Sequence, residues 1–205
     1  MACFSTQGDL LSQWRAYAED GAGFAIGFDP TYFKFSPTLP TYGPDVSVTC
    51  GLLPVCYDEI EQNQLIEQIL DEYRQKALLA STPENLTEVA EGCYFNLQMI
   101  SIFCKNPAFK EENEWRIVYR PRFCRGSSGL EVFGGNCNIF FRTSKHNIIS
   151  YFNLSFAEER DVQPVTEIIL GPKRRLTDEC DVLSLFLERH GSSCGRLKQS
   201  SATYR

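Results

Sequence analysis

Three things are scarce in this 205-residue chain: it has no Cys-x-x-Cys pair, only two histidines, His146 and His190, and no long apolar run. The first two deficits exclude the usual ligand spacing of structural zinc, so no metal is expected. The third excludes a helical span of roughly 18 to 20 apolar residues, and the N-terminus lacks the basic-then-apolar order of a secretory signal. The expectation is a cytoplasmic protein with no membrane partner. Basic charge is also short: 20 Lys and Arg face 26 Asp and Glu, for a net charge of −6. That balance excludes a broad nucleic-acid surface, which needs surplus cations to replace phosphate counterions, and leaves only a local basic pocket for such a substrate.

What is present fits one globular domain over residues 1–205. Hydrophobic residues make up 43%, charged residues 22% and aromatic residues 13% of the chain, so the core is expected to be rich in Phe and Tyr. The nine cysteines are odd in number and scattered, and without an export signal they read as reduced, mostly buried thiols. No internal repeat or low-complexity segment is visible.

Hydrophobic spacing then orders the elements. A helix is expected to start at Gly8-Asp9, with the Asp9 carboxylate capping its first N–H groups, and to run to Asp20-Gly21 with Leu10, Leu11, Trp14, Tyr17 and Ala18 on one side. Gln13 and Arg15 border that apolar side. Residues 23 to 29 alternate Phe24, Ile26 and Phe28 with Ala25 and Gly27, the pattern of a strand whose bare face receives a helix. Residues 36 to 45 read as a proline-rich loop. Short strands follow around Val46 to Thr49 and Leu53 to Tyr57, with Cys50-Gly51 at the bend.

A long helix is expected from about Asp58 to Ala80. A second starts at Thr82-Pro83-Glu84, a cap residue followed by proline at the first helical position, and ends near Phe103 or Cys104. Strands are expected at Glu114 to Tyr119, Cys137 to Arg142, Ile148 to Phe156 and Val165 to Leu170, with turns at Gly126 to Gly129 and Gly134-Gly135. Leu176 to His190 is a last amphipathic helix, capped by Thr177 or Asp178 and stopped by Gly191. The order gives an α+β fold with a mixed, mainly antiparallel sheet, a packed helical pair and a C-terminal helix.

No catalytic motif is complete. Gly21, Gly23 and Gly27 are spaced G-x-G-x-x-x-G and precede a strand, whereas a dinucleotide fingerprint follows a strand and opens a helix. Lys173, Arg174 and Arg175 follow a strand as a solvated turn, not a phosphate loop. Neither histidine stands by a local motif beside a nucleophile; His190 is placed to meet a helix C-terminus. The richest constellation is "NPAFKEENEWRIVYRPR", residues 106 to 122. As a strand it puts Trp115, Ile117 and Tyr119 on a buried face and Glu114, Arg116, Val118 and Arg120 on the other. The two guanidiniums suit a phosphate or carboxylate, the Glu a ribose hydroxyl or an activated nucleophile, and a salt-bridged solvent face is the plain alternative.

Five blocks, "CFS", "DLLSQWRAYAEDGAGFAIGFD", "NPAFKEENEWRIVYR", "EIILGPK" and "LKQSSATYR", resemble the bacterial domain-of-unknown-function family numbered 2971. Family members usually begin with a further His-Tyr-Thr-Ser strand segment, which is not found ahead of Cys3-Phe4-Ser5. That segment is similar to the start of ADP-ribosyltransferase-like folds. The resemblance therefore implies NAD as cofactor, Glu114 as the catalytic strand glutamate, and Gln13, Arg15, Tyr17, Arg116 and Arg120 as cofactor-binding residues. An NAD-using ADP-ribosyltransferase or NAD glycohydrolase of toxin or phage-defence type is one expected function. The other is a non-enzymatic regulatory module that binds a nucleotide-type small molecule or a partner. Nuclease action is disfavoured, since no carboxylate set has metal-site spacing.

Overall fold

The computed structural model describes residues 1–32, 35–41, 49–127, 129–133, 139–144, 146–153, 164–190 and 195–204. The fold is α+β with mostly antiparallel strand pairing. The chain divides into two compact units, Met1–Phe4 with Phe35–Cys137, and Ser5–Lys34 with Asn138–Arg205.

The first unit is built on a three-stranded sheet, in the order β1 (Ala2–Ser5), β4 (Glu114–Tyr119), β3 (Cys50–Pro54). β3 and β4 are antiparallel, with Gly51 opposite Val118 and Leu53 opposite Arg116. Cys50-Gly51 is therefore inside a strand and not at a bend, while Val46 to Ser47-Val48 lies outside the described residues. Glycine is needed at 51 because Ser36 bridges to it and a Cβ there would collide with the Thr38 carbonyl oxygen.

Helices α2 (Glu59–Leu78) and α3 (Pro83–Phe103) follow as expected. Asp58 caps α2 by accepting from the N–H groups of Ile60 and Glu61 at 2.8 and 3.0 Å, and Thr82 caps α3 by accepting from Asn85 at 3.2 Å. The two differ in burial. The C-terminal turns of α3 bury Met99, Ile100 and Phe103, with Met99 and Phe103 against Val118 of β4, whereas α2 buries no residue fully. Strands β5 (Arg122–Gly126) and β6 (Gly129–Phe133) form an antiparallel hairpin that the spacing did not suggest.

In the second unit, β9 (Val165–Leu170) is central, flanked by antiparallel β2 (Phe24–Phe28) and parallel β10 (Leu197–Gln199). At Gly27 the nearest neighbour of the bare face of β2 is β9 and not the expected helix: that glycine stands opposite Glu167, and a Cβ there would lie 2.7 Å from the Glu167 Cγ. Strands β7 (Ile139–Ser144) and β8 (Asn147–Phe152) pair as a second hairpin. The expected first and last residues of these strands, Cys137 and Phe156, lie outside the described residues, as do the turn at Gly134-Gly135 and the stop at Gly191.

Two expected caps are corrected. Helix α1 (Leu11–Tyr17) starts without a side-chain cap, because Asp9 is engaged elsewhere. Helix α4 (Leu176–Arg189) likewise has none; the Leu176 N–H donates to the Gln199 side-chain oxygen, 3.0 Å away on β10, instead of to Thr177 or Asp178.

The buried core is less aromatic than composition suggested. Trp14, Tyr57 and Phe103 are buried, but Phe123, Phe133, Phe140 and Phe141 are exposed because they stand on two-stranded hairpins. Tyr17, expected in the core, is 70% exposed, because α1 ends at that residue and turns through Glu19 and Asp20 at positive φ.

Candidate functional site

Glu114 opens β4 and is, among the described residues, the one charged residue in the buried set, 7% exposed. It is reached through an unusual turn. The segment Pro107–Glu112 is a short 3-10 helix begun by Asn106, whose side chain accepts from the Ala108 N–H, and ended by Asn113 in the left-handed region at φ 42°. Asparagine tolerates that conformation, and the reversal brings Glu112 and Glu114 onto one cation, Lys105. Lys105 Nζ lies 2.5 Å from Glu112 and 3.1 Å from Glu114.

The remaining valences of Glu114 are also filled. Arg116, two residues along the same face, donates Nε to Oε1 and a terminal nitrogen to Oε2, both at 2.9 Å. That guanidinium donates as well to the Ile102 carbonyl at the end of α3. The Cys3 thiol of β1 hydrogen-bonds the same carboxylate, and the Glu114 N–H donates to the Tyr57 hydroxyl at 3.1 Å. One carboxylate thus joins β1, β4 and the α3 terminus. Burial alone would raise its pKa; the hydrogen bonds from Arg116, Cys3 and Lys105 outweigh that and hold it at about 2. Burial, then Glu114, keeps the Cys3 thiol above its ordinary value, so it remains protonated.

The faces of β4 differ from expectation. The Glu114, Arg116, Val118 face is packed under α3, while Trp115 on the opposite face is 36% exposed. Ile117 on that face is buried as expected, at 2%. Arg120 stacks its guanidinium over the Phe95 ring of α3 at 5.2 Å. Strand alternation located these residues, but the polar face lies against a helix because Met99 and Phe103 need Val118.

Gln13, Arg15 and Tyr17 belong to the second unit. Gln13 is half-buried, and Arg15 lies over the Tyr204 ring at 5.3 Å. Lys173 covers the same ring at 4.2 Å and pairs with Asp20 at 2.5 Å; Tyr204 donates to Asp20 too. Arg174 is also occupied, half-buried against Phe24 and paired with Glu179, so the Lys173–Arg175 turn is less solvated than its charge suggested. Asp9 gathers the C-terminal segment: it accepts from Trp14 Nε1 at 2.7 Å, from the Ser200 hydroxyl at 2.5 Å, and from the Ser201 N–H and hydroxyl at 2.7 and 2.8 Å. The blocks "DLLSQWRAYAEDGAG" and "SSATY" are thus packing partners.

The residues that sequence reasoning did not single out are Lys105, Glu112, Cys3 and Tyr57. The Glu-Asn-Glu step was the readable signal, since asparagine between two carboxylates ahead of a strand marks a left-handed turn. Among the described residues no group of three His, Cys, Asp or Glu side chains could hold a metal ion, and no helix is long and apolar enough to cross a membrane.

The fold and cluster define an α+β protein organised around a buried, charge-compensated strand glutamate. The chain belongs to the family described as protein of unknown function (DUF2971), whose model matches residues 13–117, from α1 to the middle of β4. No curated protein and no solved structure matches it.

Proposed function

We propose that the chain is a non-enzymatic partner-binding module in which Glu114 is a structural counter-ion. The observation that carries this reading is the closure of the cluster. Among the described residues two carboxylates meet two cations, and both Glu114 oxygens are engaged, so the charges offset one another within the cluster and Glu114 has its partners already. A carboxylate at about 2 is also a poor proton donor or acceptor near neutral pH.

The surface that suits a partner is the α2–α3 hairpin. Across Glu59–Phe103 eight acidic residues face only Arg74 and Lys76, so this pair carries an excess equal to the whole chain's −6. Its turn leaves Leu78 and Leu79 79% and 81% exposed. An acidic shaft with an apolar tip suits a protein partner with a basic surface, through steering at range and burial at the end. Association should weaken with salt and fail in the Leu78→Asp/Leu79→Asp double variant. Salt-insensitive association that survives the double variant contradicts this.

The NAD-using transferase or glycohydrolase reading retains one supporting feature. Glu114 stays ionised, as a group facing an oxocarbenium-like centre must, with Arg116 beside it for a phosphate. Nicotinamide release from NAD by the purified chain, lost in Glu114→Gln with the fold intact, would establish that reading over ours.

A further inference from the structure

Cys56 and Cys104 are the two partners of an isolated parallel β-bridge, where the chain leaving β3 meets the residue that ends α3. The Cys56 N–H donates to the Phe103 carbonyl at 2.7 Å, and the Lys105 N–H donates to the Cys56 carbonyl at 3.0 Å. The Gln62 amide nitrogen of α2 donates to both the Cys56 and Lys105 carbonyls at 2.9 Å, fixing the register from a third side.

Paired backbones of this kind run about 4.8 Å apart, within the roughly 4.4–6.8 Å Cα separation that a disulfide spans. Partners in a parallel bridge project their side chains to the same face of the ribbon. Both residues are free thiols and half-buried, so neither is sealed from a small oxidant. The Cys56 sulfur lies 3.6 Å from the Asp58 carbonyl and 3.5 Å from a Glu61 carboxylate oxygen.

We propose that Cys56 and Cys104 form an oxidation-responsive dithiol that closes to a disulfide when hydrogen peroxide reaches it. One thiol first gives up its proton to solvent, and its thiolate sulfur attacks a peroxide oxygen and breaks the O–O bond; the hydroxide set free takes up a proton and leaves as water, and that cysteine becomes a sulfenic acid. The second sulfur attacks the sulfenic sulfur, the S–S bond forms, and the hydroxyl departs with the second thiol's proton as another water. Both cysteines are oxidised and the peroxide is reduced to two waters. Burial holds both thiols above their ordinary pKa, so the resting pair is protonated.

The position gives the bond a consequence. The two cysteines bracket the α2–α3 hairpin, so a disulfide staples its neck, one residue before Lys105 and therefore beside the Glu114 cluster. This inference does not depend on what the hairpin binds.

The test uses the full chain, treated with a small excess of hydrogen peroxide, alkylated and digested without reductant. The expected product is a peptide joining Cys56 to Cys104, reversed by dithiothreitol, absent in Cys56→Ser and Cys104→Ser and retained in Cys124→Ser. The oxidised wild type should unfold at a higher denaturant midpoint than the reduced form, since the closed loop restricts the unfolded chain. Two intact thiols, sulfinic acid at either residue, or pairing of either with another cysteine overturns the proposal. Mapping the wild type decides this even if a variant fails to fold.

Discussion

Each unit holds a carboxylate that gathers its surroundings, and the two do so by opposite means. Glu114 is met by two full positive charges and a thiol, whereas Asp9 is met by an indole, two hydroxyls and a backbone N–H, all neutral. In both, burial pushes the pKa up and the donors overcome it. Losing the Glu114 charge takes the carboxylate away from Arg116 and leaves Lys105 with Glu112 alone, while losing the Asp9 charge leaves donors from which an amide oxygen can still accept. A compensated charge is therefore costlier to disturb than a solvated-by-dipoles one, although both look equally satisfied.

The largest effect should come from Glu114→Gln. Removing one partner of a buried pair costs about 3–5 kcal/mol, and urea unfolding should show that loss. Acid provides a milder version of the same perturbation. Because the folded pKa lies below the unfolded value of roughly 4.3, the Glu114 contribution is complete above that value and disappears as pH falls toward about 2. The linkage is worth about 3 kcal/mol, and the slope of stability against pH in that window should flatten in Glu114→Gln.

Asp9→Asn should cost less, about 1–2 kcal/mol, because the amide oxygen retains part of the network while its NH2 opposes a donor. An equal or greater loss than in Glu114→Gln would break the comparison. The smallest effect belongs to the exposed counterpart of these sites. Glu72 pairs with Lys76 at 2.5 Å on α2, both well exposed, and Glu72→Ala should stay within about 0.5 kcal/mol in the same assay.

The parts of this architecture that local chemistry dictates were readable in advance. Asp58, Thr82 and Pro83 announced the helical pair, and the alternation of Glu114 to Tyr119 announced β4 with its bounds. The site residues Glu114 and Arg116 stood out for the same reason. What spacing does not encode is which face a neighbour covers. The polar side of β4 went inward because α3 packs on Val118, and the opposite face is covered unevenly, burying Ile117 while Trp115 stays 36% exposed.

Long-range hydrogen bonding was equally hidden. Asp9 had the form of a helix cap and became the anchor of Ser200 and Ser201, nearly the whole chain away, while Gln199 supplied what Thr177 and Asp178 were expected to give. β10 is only three residues long, and the β5–β6 hairpin has no strict alternation, so neither carries a periodic signal.

The most direct test of the central claim measures unfolding stability and nicotinamide release from NAD together, for the wild type and Glu114→Gln. A structural counter-ion predicts no release from either protein and a variant weaker by several kcal/mol. Release by the wild type, abolished in a variant of unchanged stability, would contradict the account.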